Sequence, residues 1–130
     1  MLVSSASAYR TAADDLVPTL NALPGWPATT PFKIYSGFLP ITGTTKDIHY
    51  VFLEANTTEF AKAPLVVWFN GGPGCSSMLG LLQETGPYVL EAGATEYTWN
   101  NYTWNNETNM LYIEQPAGVG YSTCDNKTAP

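Results

Sequence analysis

Asn70, Gly71, Gly72, Pro73 and Gly74 directly follow the apolar run "LVVWF" and directly precede Cys75, Ser76 and Ser77. Glycines at a strand end let backbone N–H groups come close to a negative group, because no Cβ stands in the way. That group could be a phosphate, a carboxylate or a transient oxyanion. Spacing argues against the first. A dinucleotide fingerprint needs G-x-G-x-x-G and a Walker loop needs G-K-[S/T]. "GGPGCSSMLG" has neither, and no lysine lies near it. The local form suits presentation of the Gly71 or Gly72 N–H toward a negative oxygen. The plain alternative is a tight strand-to-helix connection that binds nothing.

Other residues with chemical capacity read more modestly. Ser76 and Ser77 are poor nucleophile candidates, since "GCSSM" lacks the second glycine of G-x-S-x-G, and Ser76 is placed to cap a helix. His49 lies in a strand with no evident acid or serine partner, so a structural or solvent-facing role is expected. Glu84 alone reads as a solvated helix residue. Trp99 and Trp104 are expected to pack a long polar loop. Glu114-Gln115-Pro116 ends a strand and is expected to shape a cleft without taking part in chemistry.

The elements that must hold these residues follow from pattern. "TAADDLVPTLNAL" (11–23) allows one or two helical turns, interrupted by Pro18, and "PGWPATTP" (24–31) is a connector. "FKIYSGFLPI" (32–41) reads as a strand broken at Gly37, "TGTTK" as a turn and "DIHYVFLEA" (47–55) as the next strand. "LVVWFN" (65–70) is continuously apolar and β-branched, which predicts a strand buried on both faces. "SSMLGLLQETG" (76–86) predicts a helix, and "NMLYIEQP" (109–116) another buried strand. Two central-type strands each ending in a Gly/Pro turn, one leading into a helix, imply an α/β class with its site beyond the strand ends. Residues 1–31 are read as an N-terminal helix and connector. Residues 32–130 are read as the N-terminal part of a domain that continues past the chain end.

"WFNGGPGCSS" (68–77), "ETGP" (84–87) and "NMLYIEQPAGVGYS" (109–122), in that order and spacing, resemble the N-terminal segment of the serine carboxypeptidases. The resemblance covers roughly Phe32 to Ser122. It implies an α/β-hydrolase fold, a mixed sheet flanked by helices and incomplete in this chain. It also implies a serine-type carboxypeptidase that cleaves the last peptide bond of peptides and proteins through an acyl-enzyme. By the same resemblance, the Gly72 N–H is one oxyanion-hole donor. Asn70 and Gly71, supported by Trp68, hold the free carboxylate of the substrate. Glu84 shares a proton at acidic pH with a glutamate outside this chain, and Leu79 and Gln83 line the pocket for the terminal side chain. Cys75 corresponds to a half-cystine with a distant partner, whereas Cys124 has no counterpart. Nucleophile, acid and histidine are expected beyond residue 130, so the segment alone is expected to be inactive and to need the rest of the polypeptide. An acyltransferase of the same family and a non-catalytic truncated glycoprotein are the rival readings.

Composition agrees with a folded chain outside the nucleic-acid class. Of 130 residues, 45% are hydrophobic and 12% charged, and the net charge of −6 disfavours nucleic acid and anionic membranes. No apolar run is long enough to span a bilayer. Sequons at Asn56, Asn101, Asn106 and Asn126 favour a secretory, vacuolar or lysosomal route, although "MLVSSASAYR" lacks a leader's apolar core. No cofactor or metal is expected. The partners are peptide and protein C-termini.

Overall fold

The computed structural model describes residues 10–18 and 23–124. The one-turn helix α1 (Ala12–Asp15) leads to β1 (Ile34–Pro40) and β2 (Asp47–Leu53). They form an antiparallel hairpin closed by the turn at 41–46, where the Ile41 N–H donates to the Lys46 carbonyl at 2.9 Å. A 3-10 turn, Phe60–Lys62, precedes β3 (Leu65–Trp68). The chain then runs through a short helix and the small pair β4 (Tyr88–Val89) and β5 (Thr98–Trp99), and returns as β6 (Asn109–Ile113).

The main sheet has the order β1-β2-β6-β3, with β2 and β6 antiparallel and β3 and β6 parallel. A parallel pair needs a crossover, and the 69–108 segment supplies it. Leu53, Met110 and Tyr112 are fully buried, and they meet Ile34, Val51 and Leu81 in one hydrophobic cluster. Trp26 closes one end, edge-on to Tyr88 and tilted against Tyr97 at ring distances of 5.1 and 5.0 Å. Beside this cluster, on the β1–β2 side, lies an apolar cavity of about 520 Å³ lined by Trp26, Ile34, His49, Val51, Met78 and Leu81.

Three expectations need correction. β3 is not buried on both faces: Leu65 is 57% exposed, Val67 42% and Phe69 48%. It stands last in the sheet with β6 as its one neighbour, and only its Val66 and Trp68 side packs on the core. An all-apolar run reports two faces fit for burial, not that both are covered here. Gly37 does not break β1, which stays in register with Tyr50. A Cβ there would stand 2.4 Å from the Asp15 carboxylate, which accepts from Tyr50 Oη and from Arg10 Nε, both at 2.7 Å. The glycine makes room for a buried acid that ties α1 to the sheet. The helix expected over 76–86 is shorter: it starts at Met78 and becomes π-helical over Gly80–Glu84, closed by Thr85 N–H to the Gly80 carbonyl at 2.9 Å. Tyr112 Oη meets Thr85 Oγ1 at 3.0 Å, which fixes this wide turn to β6. Among the described residues no helix is long and apolar enough to cross a membrane.

Candidate functional site

β3 and β6 run parallel with Trp68 opposite Tyr112, so their carboxyl ends open at the same sheet edge. The loop at 69–77 and the turn at 114–122 therefore emerge side by side, where α/β sheets place their ligands. Ser77, 1% exposed, stitches the first loop down. Its Oγ donates to the Ile113 carbonyl at 2.6 Å and accepts from the Asn70 N–H at 3.1 Å.

Asn70 carries the most informative geometry. Its Oδ1 accepts from Trp68 Nε1 at 2.9 Å and from the Gly80 N–H at 3.1 Å. Both donors can only donate, so the amide's orientation is chemically determined. Nδ2 is thereby turned away from both donors, with no acceptor among the described residues. Gly80 permits this arrangement, because a Cβ there would lie 2.2 Å from Trp68 Nε1. Trp68 is further held edge-on by Trp104 at 5.6 Å, and Trp99 packs likewise on Tyr88 at 5.2 Å.

The Gly71 and Gly72 N–H groups make no hydrogen bond to any described residue, although the Gly71 carbonyl accepts from the Cys75 N–H at 3.2 Å. Gly72 has φ +136°, and a Cβ there would approach Cys75 Sγ to 2.9 Å. The loop thus presents two undonated N–H groups and one undonated amide nitrogen in a three-residue span. Cys75 is exposed and forms no disulfide among the described residues. Leu79, Gln83 and Glu84 are exposed on the helix that follows. The Glu84 carboxylate makes no hydrogen bond among the described residues, while its backbone carbonyl accepts from Asn100 Nδ2 at 3.0 Å. The structure brings Trp68, Asn70 and Gly80 into contact. Leu79, Gln83 and Glu84 belong to the same unit by chain continuity, without a bond to Asn70.

His49 is structural, as one of its expected roles had it, but it has the acid and serine partners that its place in the sequence did not show. It is buried, with Nδ1 3.0 Å from Glu114 Oε2 and Nε2 3.0 Å from Ser36 Oγ. Ser36 lies on β1 and Glu114 directly follows β6, 13 and 65 residues away, a proximity that local spacing cannot reveal. Glu114, expected only to shape the cleft, is 0% exposed. Its Oε1 accepts from Ser76 Oγ, and its Oε2 also accepts from the Tyr121 N–H at 2.7 Å. Ser76 Oγ also accepts from the Met78 N–H at 3.1 Å, two residues on, while the helix itself opens only at Met78, so Ser76 is not its N-cap. Of the sequons, Asn101 and Asn106 are exposed, Asn56 is half-buried, and Asn126 lies outside the described residues. Among the described residues no group of three or more His, Cys, Asp and Glu could hold a metal ion.

Comparison with known proteins gives this geometry a family. The family model for serine carboxypeptidases matches residues 24–129, and the chain belongs to that family. It is 42% identical over 127 residues to the lysosomal protective protein of Mus musculus, covering 98% of this chain and 26% of that one. It is 48% identical over 100 residues to carboxypeptidase S1 of Penicillium janthinellum, covering 72% of this chain and 22% of the relative. P-(S)-hydroxymandelonitrile lyase of Sorghum bicolor is 43% identical over 116 residues, covering 84% of this chain and 21% of the relative. In three dimensions the chain superposes on the Kex1(delta)p prohormone-processing carboxypeptidase of Saccharomyces cerevisiae with a TM-score of 0.76. The sequence identity there is 27%, with 92% of this chain and 27% of that one covered. The fold is therefore the N-terminal portion of an α/β-hydrolase. The chain spans about a quarter of the length of the relatives it matches.

Proposed function

We propose that the polypeptide to which this segment belongs is a serine-type carboxypeptidase, and that the segment forms its carboxylate-recognition and oxyanion half. The observation that carries this reading is the Asn70 amide. Two donors occupy its oxygen and leave its nitrogen to donate, next to the unused Gly71 and Gly72 N–H groups. An exopeptidase must tell a free chain end from an internal peptide bond, and only the end carries a carboxylate. A neutral amide and a backbone N–H can bind that carboxylate without burying a cation.

In this reading the terminal carboxylate accepts from Asn70 Nδ2 and the Gly71 N–H, with Glu84 completing the subsite. The Gly72 N–H donates to the carbonyl oxygen as charge develops on it during acyl transfer. Leu79 and Gln83, exposed and four residues apart, face the terminal side chain. The serine nucleophile, its histidine and the orienting acid come from the rest of the polypeptide. Cys75 is exposed and so accessible to a half-cystine partner there. A secretory or lysosomal location agrees with the exposed Asn101 and Asn106 sequons. The lyase among the relatives shows that family membership alone does not choose the reaction.

The test is kcat/KM of the full-length enzyme for a peptide and for its C-terminal amide, from about pH 4 to 8. The wild type should prefer the acid. Asn70→Ala should erode that preference about tenfold or more at every pH, because it deletes a donor without adding a titrating group. An unchanged acid-to-amide ratio in Asn70→Ala would remove the basis of the reading. Acyl transfer to an alcohol acceptor with no peptide hydrolysis would favour the acyltransferase.

A further inference from the structure

We infer that Glu114 is a positioning residue whose buried carboxylate sets the glycine loop against the strand ends, through Ser76 on one oxygen and through Tyr121 and His49 on the other. The inference rests on the reading of the Gly71–Gly72 loop as the substrate site. Glu114 directly follows β6 and is completely buried. A buried carboxylate is tolerated when hydrogen-bond donors surround it. Here the donors come from three different parts of the chain: the Ser76 hydroxyl from the glycine loop, the Tyr121 N–H from the neighbouring turn and the His49 ring from β2.

The chemistry of each partner fixes the direction of the network. An ionised carboxylate can only accept, so the His49 proton sits on Nδ1. In the neutral ring Nε2 then accepts from the Ser36 hydroxyl at 3.0 Å, which extends the strut to β1. Ser122 doubles the joint, donating from Oγ to the Glu114 carbonyl at 2.6 Å and accepting from the His49 N–H at 2.8 Å. The turn is cut to fit the acid: Gly120 has φ +56°, and a Cβ there would overlap Glu114 Oε1. Ser36, His49 and Glu114 have the residue types of a hydrolytic triad, but Ser36 lies in the middle of the β1–β2 ladder, opposite Val51. The arrangement is built to brace. Its one arm toward the substrate side is Ser76, two residues beyond Gly74.

The test compares Ser76→Ala, Ser76→Thr and Glu114→Gln in the full-length enzyme. Gln keeps the volume of Glu, and whichever oxygen its amide nitrogen replaces, at least one of the three donors loses its acceptor. Ser76→Ala and Glu114→Gln should each lower kcat about tenfold or more, with KM changed less than about threefold, since a displaced oxyanion donor is felt in the transition state. Ser76→Thr, which keeps the hydroxyl, should restore kcat. The double variant should be no slower than the slower single one, as expected for two residues acting through one bond. Amide hydrogen exchange gives a readout independent of activity: Cys75 and Asn70 should lose protection in Ser76→Ala while β6 keeps it. Variants that lower the melting temperature but leave kcat and loop exchange at wild-type values would overturn the inference. If Glu114→Gln fails to fold, Ser76→Ala and its Thr rescue decide the matter alone. A wild type that releases no C-terminal residue from any peptide would defeat the carboxypeptidase reading instead, and the exchange measurement would still decide whether Glu114 holds the loop.

Discussion

Asn70 shows how much a single amide can be told by its neighbours. Trp68 and Gly80 both donate to its oxygen, and the same geometry makes Gly80 a packing requirement, not a helix accident. Gly72 is the second residue on which the site turns. Its φ of +136° and the 2.9 Å approach of a would-be Cβ to Cys75 Sγ leave no room for a side chain. Gly72→Ala in the full-length enzyme should therefore lower kcat by about two orders of magnitude, the usual cost of one lost oxyanion donor. A folded variant with wild-type kcat would show that this N–H does not face the reacting carbonyl. At this scale the sequence was partly legible. The Asn-Gly-Gly loop announces itself because its residue types are rare at a strand end. The Glu114–His49 pair does not, because a glutamate closing an apolar run looks like any strand terminus until β2 is laid beside β6.

The elements were legible where periodicity or turn chemistry was strong, as in the turn read at 42–46 and the strands read at 47–55 and 109–116, which run over 47–53 and 109–113. They were less so where tertiary contacts decide. The helix after the glycine loop widens to a π turn because Thr85, not Glu84, closes onto Gly80, and Thr85 is held by Tyr112. Burial pushes the Tyr112 hydroxyl up to about 12. The folded value lies above the unfolded value of about 10, so the protein is stabilised fully below pH 10. That contribution falls as pH rises from about 10 toward 12, since the unfolded chain ionises first. It amounts to about 2 kcal/mol at most across that window. Tyr112→Phe in the full-length protein should cost about 1 kcal/mol at pH 7 through the lost Thr85 contact. Above pH 10 its stability should decline less steeply than that of the wild type, as read by denaturant unfolding at several pH values. Parallel pH curves for the two proteins would show that this hydroxyl ionises without penalty.

At the scale of the molecule, the described residues form a sheet with apolar surface still open. The outer face of β3 shows Leu65 and Val67, with Phe69 just beyond it, β1 shows Phe38 and Leu39, and the cavity beside the core is lined almost wholly by apolar side chains. Exposed apolar side chains in such number invite association, and a terminal strand with one neighbour invites further pairing. Residues 1–130 expressed alone should therefore associate or bind a hydrophobic dye. Light scattering coupled to size exclusion is the direct check. A monodisperse monomer with a sharp melting transition would show that the segment is a domain in its own right.

The strand order has one more consequence, which concerns time. β6 lies between β2 and β3, yet it is made last of the three. While the ribosome is still extending the chain, the β1–β2 hairpin can zip locally, but β3 has no partner and the inner edge of β2 stays bare. β3 waits about 40 residues and β2 about 55, until β6 emerges and slots between them. Its arrival pairs β3, seals β2 and delivers Glu114 to Ser76 and His49 in the same event. Until then the glycine loop lacks the tie from Ser77 Oγ to the Ile113 carbonyl, so the candidate site is complete only once β6 is in place.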